Sequence, residues 1–215
     1  MSEDNGYATM EQDTQEEIEK RKSHPPQLAK YFHIAEADIH EMPPKNRHYD
    51  FTLPIDGKEI RIECKTDYAQ NSNLWLELME NVQKDDIIQV LGQDEYDILD
   101  GGVGLPYNPA SRYHRKILNE IDSQIPNNGF WLSTLNETQY FSVMFMDRAQ
   151  FILIDVTKMR PWVRFNYERY SLGCARLTKR KDRIWSNFSV LIPITDIPPA
   201  AIVFQCPITA DEMRT

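Results

Sequence analysis

A β-hairpin is predicted by the stretch from residue 49 to residue 65, which reads YDFTLPIDGKEIRIECK. Apolar and polar residues alternate on both sides of Asp56-Gly57, a dipeptide that favours a two-residue hairpin turn. With those residues as the turn, Phe51 faces Ile62 across the two strands, so the apolar positions of both strands share one face. The stretch therefore predicts two antiparallel strands with one buried face.

The same register brings two acidic residues together. Asp50 lies opposite Glu63, and Lys65 points to the same face two residues farther on. Two carboxylates ~5 Å apart repel by about 3 kcal/mol at an effective dielectric constant near 20, so a positive partner is expected. A Mg²⁺ ion bound by both carboxylates would supply it, because this cation prefers hard oxygen ligands. A surface ladder of salt bridges is the alternative.

A second acid-x-Lys tripeptide, Asp56-Gly57-Lys58, occupies the tip of the same hairpin. A chain of this length and composition contains about one such tripeptide by chance, so the spacing alone carries little information. We interpret the tip tripeptide as structural. The acid that precedes Glu63 by 13 residues, on the paired strand, distinguishes the inner tripeptide from it.

Hydrophobic patterns elsewhere predict an α/β fold with a mixed central sheet flanked by helices. Further strands are expected at residues 74–78, 141–145, 151–156 and 189–194. Helices are expected at residues 27–33, 111–123 and 157–165, with Pro161 in the first turn of the last one.

Charge divides the chain into an arm and a domain. Residues 1–19 hold seven acidic residues and no Lys or Arg, so residues 1–20 are expected to form an acidic, mobile arm. Residues 21–215 are expected to form a single domain, with a loop insertion near residues 92–109 that is rich in Gly and Pro.

Composition bounds the class of protein. The chain has 215 residues with a net charge of −9, and 41% of them are hydrophobic, as in ordinary globular proteins. No apolar run approaches the ~18 residues of a membrane span, so no membrane partner is expected. Three widely spaced cysteines, Cys64, Cys174 and Cys206, predict reduced thiols and a cytoplasmic location.

A basic segment interrupts the acidic background. Between residues 148 and 183 there are ten Lys and Arg residues against three acidic ones. Its densest part predicts contacts with the phosphates of DNA, which would hold a backbone without reading the sequence. The alternative is an exposed hairpin turn. The residues of this predicted contact are Arg176, Lys179, Arg180, Lys181 and Arg183.

The hairpin resembles the PD-(D/E)xK nuclease superfamily, with its restriction-endonuclease-like fold, and small phage-type members in particular. The similar residues are Tyr49-Asp50-Phe51, the run from Ile60 to Asp67, and Asn73 to Glu77; a looser similarity reaches residue 160. The sequence departs from the motif where Tyr49, rather than proline, precedes Asp50.

The resemblance implies a metal-dependent endonuclease that hydrolyses phosphodiester bonds of DNA. Asp50, Glu63 and the main-chain carbonyl of Cys64 would hold Mg²⁺, which Mn²⁺ could replace, and Lys65 would orient or activate the attacking water. Members often add an acid from an N-terminal helix, for which Glu16, Glu17 and Glu36 are candidates.

Other readings of the resemblance stay open. One is a catalytically silent DNA-binding or assembly protein of the same fold, and another is a nuclease that acts on RNA or on branched junctions. A homodimer is an option because two active sites are needed to cut both strands at once.

Overall fold

The computed structural model describes residues 21–43, 49–67, 73–83, 88, 93, 131, 137–174, 178–180 and 183–209. The chain divides into two compact units that alternate along the sequence. The first comprises Met1–Asn71, Glu137–Met159 and Pro198–Thr215; the second comprises Ser72–Asn136 and Arg160–Ile197. That residues 21–215 form one domain after a mobile arm stays a prediction.

Ten strands and two α-helices are defined within the described residues. The strands are β1 (His40–Glu41), β2 (Phe51–Ile55), β3 (Lys58–Asp67), β4 (Asn73–Gln83), β5 (Tyr140–Phe145), β6 (Gln150–Asp155), β7 (Ser171–Cys174), β8 (Thr178–Arg180), β9 (Arg183–Pro193) and β10 (Ile202–Pro207). The helices are α1 (Pro25–Phe32) and α2 (Val156–Asn166).

The described residues of the first unit contain one six-stranded sheet in the order β1-β2-β3-β5-β6-β10. β3 and β5 are parallel, and the other neighbouring strands are antiparallel. The predicted α/β class with a mixed central sheet is therefore confirmed. The β2–β3 hairpin lies inside this sheet, with a neighbouring strand on each side.

The hairpin turn is the one that the sequence predicts. Asp56 and Gly57 both have positive φ, 50° and 73°, as a type I′ turn requires. The pairing runs from Ile55 opposite Lys58 to Phe51 opposite Ile62, which confirms the predicted register over these residues.

A hydrophobic core covers one face of this sheet and includes α1. Pro25 and Pro26 occupy the first turn of α1, where a missing N–H costs nothing, and His33 ends the helix in the left-handed conformation. The predicted helix is confirmed, with its start two residues earlier. The buried side chains of the core are Leu28, Phe51, Leu53, Ile62, Met144, Phe151, Leu153, Cys206 and Ile208.

The second unit contains a separate sheet. Among its described residues, β4, β9 and β7 are neighbours in that order, and β8 pairs with β9. Leu74, Leu76 and Leu78 alternate along β4 and are all buried, which is the period of two that predicted this strand. The predicted late strand overlaps β9, which begins six residues earlier and ends one residue earlier, at Pro193.

Helix α2 begins earlier than the sequence predicted. Asp155 caps it, because its Oδ1 accepts hydrogen bonds from the Thr157 N–H (2.9 Å) and the Thr157 hydroxyl (2.6 Å). Lys158 Nζ lies 3.0 Å from Asp155 Oδ2. The prediction that Pro161 lies in the first turn is wrong, because this early cap leaves Pro161 inside the helix.

Several predicted segments lie outside the described residues. They are the arm at residues 1–20, the helix at residues 111–123 and, apart from Gln93, the loop insertion at residues 92–109. Among the helices that are described, none combines the length and the apolar composition needed to cross a bilayer.

Candidate functional site

Asp50 lies at the inner end of the hairpin and is 3% exposed. Its N–H donates to the carbonyl of Ile62 (2.8 Å), although Ile62 is already the partner of Phe51 in the ladder. This hydrogen bond lies just beyond the last pair of the ladder. The regular ladder ends at Phe51, so it does not extend to the predicted opposition of Asp50 and Glu63.

The Asp50 carboxylate contacts the Glu63-Cys64-Lys65 tripeptide directly. Its Oδ2 accepts a hydrogen bond from the Cys64 N–H at 2.8 Å. This contact attaches the acid to the middle residue of the tripeptide. Residues 50 and 64 are 14 positions apart in the sequence. They meet because the hairpin folds in the predicted register.

Arg21 forms an ion pair with Asp50 that the sequence did not indicate. Its Nη1 lies 2.8 Å from Asp50 Oδ1, and the two side chains are 16% and 4% exposed. A buried carboxylate is costly without a positive partner, and the guanidinium supplies one. Arg21 belongs to a short charged run before Pro25, and no spacing rule in the sequence singles it out.

Glu63 and Lys65 lie two residues apart in β3 and therefore project from the same face of the sheet. Glu63 is half-buried, whereas Lys65 is exposed. In the parallel ladder with β5 their neighbours are Phe141 and Val143, which are both buried. The carboxylate and the ammonium thus border an apolar surface on one side.

Cys64 lies on the opposite face, where its thiol is held by Ser142. The Ser142 hydroxyl is 2.9 Å from Cys64 Sγ. Burial raises the pKa of the Cys64 thiol well above its usual value, and the negative charges of Asp50 and Glu63 raise it further. The thiol is therefore protonated and a poor nucleophile.

His24, the residue immediately before α1, also lies at this site. The sequence did not single it out. It is fully buried, with Nδ1 2.9 Å from Ser142 Oγ and Nε2 3.1 Å from Thr66 Oγ1. Burial, with a smaller effect of Arg21, lowers the pKa of His24 to about 3. A neutral imidazole donates at one nitrogen and accepts at the other, so it serves both hydroxyls without a buried charge.

The donors available for a divalent cation are oxygens. The predicted set consists of the carboxylates of Asp50 and Glu63 and the main-chain carbonyl of Cys64, which are the ligands that Mg²⁺ prefers. Two of the contacts of the Asp50 carboxylate are with the Arg21 guanidinium and the Cys64 N–H. In the described part of the chain, no group of three or more His, Cys, Asp and Glu side chains is arranged to hold a metal ion.

The additional acid stays unassigned. Glu36 lies in a short 3-10 turn, Glu36–Asp38, and is exposed. Glu16 and Glu17 lie outside the described residues.

The predicted DNA-contacting segment is described only in part. Lys179 and Arg180 lie in β8 and Arg183 begins β9, with Arg180 opposite Arg183 in an antiparallel pair. Arg176 and Lys181 lie outside the described residues. This backbone is compatible with both readings, a phosphate-contacting loop and a hairpin turn.

Comparisons with protein-family models, with curated proteins and with solved structures found no match for this chain. The resemblance to the PD-(D/E)xK superfamily therefore depends on the hairpin residues and on their geometry.

Proposed function

We propose that the protein is a Mg²⁺-dependent endonuclease that hydrolyses phosphodiester bonds of DNA and belongs to the PD-(D/E)xK superfamily. The observation that carries this proposal is the contact of a buried acid with the acid-x-Lys tripeptide, Asp50 Oδ2 to the Cys64 N–H at 2.8 Å. A mixed sheet with this hairpin between other strands supports the fold that the superfamily would require.

Each residue of the site has a separate task in this proposal. Asp50 and Glu63, with the Cys64 carbonyl, would hold the cation, and Lys65 would orient or activate the water that attacks phosphorus. A bound Mg²⁺ would favour ionisation of water and stabilise the charge that develops on the phosphate. The raised pKa of Cys64 removes the thiol as a competing nucleophile.

The test is Glu63→Gln, which keeps the shape of the side chain and removes the charge of a ligand. We expect cleavage of DNA with Mg²⁺ to fall by ~10³-fold or more, which corresponds to about 4 kcal/mol of transition-state stabilisation. Binding of DNA should survive. Glu59→Gln is the matched control, because Glu59 lies on the same strand and its side chain is 56% exposed. Persistent Mg²⁺-dependent cleavage by pure Glu63→Gln protein would contradict the proposal.

The substrate is chosen by a panel of labelled molecules: duplex DNA, single-stranded DNA, branched junctions and RNA, each with Mg²⁺ or Mn²⁺. We expect duplex DNA to be cut. If cleavage is confined to RNA or to branched junctions, the proposed metal site stands and duplex DNA is not the substrate.

A second candidate function is a catalytically silent DNA-binding or assembly protein of the same fold. It is favoured by the ion pair between Arg21 and Asp50, because the guanidinium already supplies the positive charge that the buried carboxylate needs. This candidate predicts that the protein binds DNA and cleaves no substrate in the panel.

The basic segment supplies a test of DNA as partner. Replacing Lys179, Arg180 and Lys181 together by Ala should weaken DNA binding. If three phosphate contacts are lost, the slope of log affinity against log salt should change by ~2.7. Binding isotherms at several salt concentrations measure this slope, and an unchanged slope would favour the hairpin-turn reading.

A homodimer and a cytoplasmic location belong to the same proposal. Two copies would place one site on each strand of a duplex. Sedimentation of the protein with and without a DNA duplex tests the dimer.

A further inference from the structure

The contact between Arg21 and Asp50 is anchored on both sides. The His24 N–H donates to the Arg21 carbonyl at 3.0 Å, and the His24 ring is buried between Ser142 and Thr66. On the other side, Asp50 Oδ2 accepts a hydrogen bond from the Cys64 N–H, and Oδ1 lies 2.8 Å from Arg21 Nη1. The ion pair is therefore built into the fold beside the proposed metal ligands.

Charge decides what this ion pair does when a divalent cation arrives. Asp50 and Glu63 carry two negative charges when both are ionised. Arg21 balances one of them, whereas Mg²⁺ balances both. With the cation bound, the guanidinium faces a carboxylate pair whose charge is already balanced, so the attraction that holds it at Asp50 is lost.

We propose that Arg21 holds the place of the cation at Asp50 Oδ1 in the metal-free protein, so that Mg²⁺ binding is an exchange in which the guanidinium leaves. This inference deepens the proposed function and rests on it, since it requires that Asp50 and Glu63 bind the metal. Arg21 is then a residue that sets the metal affinity of the site, and its departure limits the change in the charge of the site to one unit.

The proposal makes Oδ1 the oxygen that changes partner. Oδ2 keeps the Cys64 N–H in both states, so the hairpin register does not change. The side chain of Arg21, 16% exposed, is the group that moves toward solvent.

The test measures metal binding rather than cleavage. Mg²⁺ affinity is determined by calorimetry for wild type, Arg21→Gln and Lys30→Gln. Lys30 is exposed in α1, so its replacement removes one positive charge from the same segment without touching Asp50. We expect Arg21→Gln to bind Mg²⁺ about tenfold more tightly, which is within the usual range for coupled sites. Lys30→Gln should match wild type, and adding Glu63→Gln to Arg21→Gln should remove the gain.

A second measurement uses the wild-type protein and does not depend on whether the variant folds. In ¹⁵N-labelled protein, saturation with Mg²⁺ should shift the Arg21 Nε–Hε signal and speed its exchange with water, because the guanidinium leaves a buried partner. The Nε–Hε signals of other arginines serve as internal controls.

The outcomes separate this inference from the proposed function. Glu63-dependent Mg²⁺ binding with equal affinity in wild type and Arg21→Gln, or with an unmoved Arg21 signal, overturns the exchange and leaves the metal site intact. No Mg²⁺ binding at millimolar concentration by either protein overturns the metal site, and the exchange with it. Binding by Arg21→Gln alone supports the exchange in its strongest form.

Discussion

The β2–β3 hairpin carries the same tripeptide pattern at its two ends, and the two ends differ in everything except that pattern. At the tip, Asp56-Gly57-Lys58 is exposed on all three residues and turns the chain with positive φ at the first two. At the inner end, Glu63-Cys64-Lys65 is contacted by a buried acid through the Cys64 N–H. An acid-x-Lys spacing therefore carries information only together with what the fold brings against it.

The inner end is defined by partners that are distant in sequence. Ser142 from β5 holds the Cys64 thiol, His24 holds Ser142, and Arg21 holds Asp50. These groups fix the backbone of the tripeptide and leave Glu63 and Lys65 on the other face of β3. The conformation of the tip is defined by its two-residue turn, with positive φ at Asp56 and Gly57.

The largest difference between the two ends is expected in catalysis. Lys65→Ala should lower Mg²⁺-dependent DNA cleavage by about 10²- to 10⁴-fold, the usual contribution of a group that moves a proton at the reacting centre. Mg²⁺ affinity, measured by calorimetry, should stay within about twofold of wild type, because an ammonium is not a metal ligand. Initial rates on a labelled duplex provide the measurement.

Lys58→Ala is the matched control at the tip and should leave both quantities unchanged. Equal losses of cleavage in Lys58→Ala and Lys65→Ala would remove the distinction between the two tripeptides.

A smaller difference is expected in the pH dependence of stability, because only the inner end rests on a buried imidazole. The pKa of His24 is about 3 in the folded protein, against 6.5 for a histidine outside the fold. Between these two pH values the unfolded chain therefore binds one more proton than the folded protein. The contribution of His24 to the free energy of unfolding is fully present above pH ~6.5. It falls by about 1.4 kcal/mol for each pH unit as the pH is lowered below that value.

Urea unfolding at pH 7, 6, 5 and 4 measures this slope. His24→Gln should lose it, whatever its stability at pH 7. His40→Gln, at an exposed position of β1, should retain it. Identical slopes in wild type and His24→Gln would show that His24 is not buried as a neutral group.

The local features of the hairpin were predictable from the sequence. The Asp56-Gly57 turn, the pairing of Phe51 with Ile62 and the burial of Leu74, Leu76 and Leu78 follow from turn chemistry and from a period of two, which act between near neighbours. The mixed sheet was predictable as a class. The one parallel pair within the described sheet, β3 with β5, joins strands that are far apart along the chain, as parallel pairing requires.

The surroundings of the inner end were not predictable from periodicity. Alternation does not show that the ladder ends at Phe51 and that the Asp50 N–H bonds to the Ile62 carbonyl, and a single residue of offset decides which group the carboxylate meets. Arg21 and His24 are each more than 20 positions away in the sequence from the site residues that their side chains contact. Patterns of neighbouring residues do not predict contacts over such a separation. The early start of α2 depends on Asp155, whose capping role the proline at position 161 obscured.

The smallest effect is expected at the tip, and it should be confined to stability. Gly57 has a φ of +73°, and a Cβ added there would meet no heavy atom within 4 Å. Gly57→Ala therefore costs only the backbone strain of a left-handed residue with a side chain, about 1 kcal/mol. Gly57→Asn should recover part of this loss, because Asn tolerates that conformation, and both variants should cut DNA at the wild-type rate. Urea midpoints measure the first expectation and initial rates the second. A loss of cleavage in Gly57→Ala that exceeds its loss of stability would mean that the tip contributes to the site, and the two tripeptides of the hairpin would then have to be treated as one.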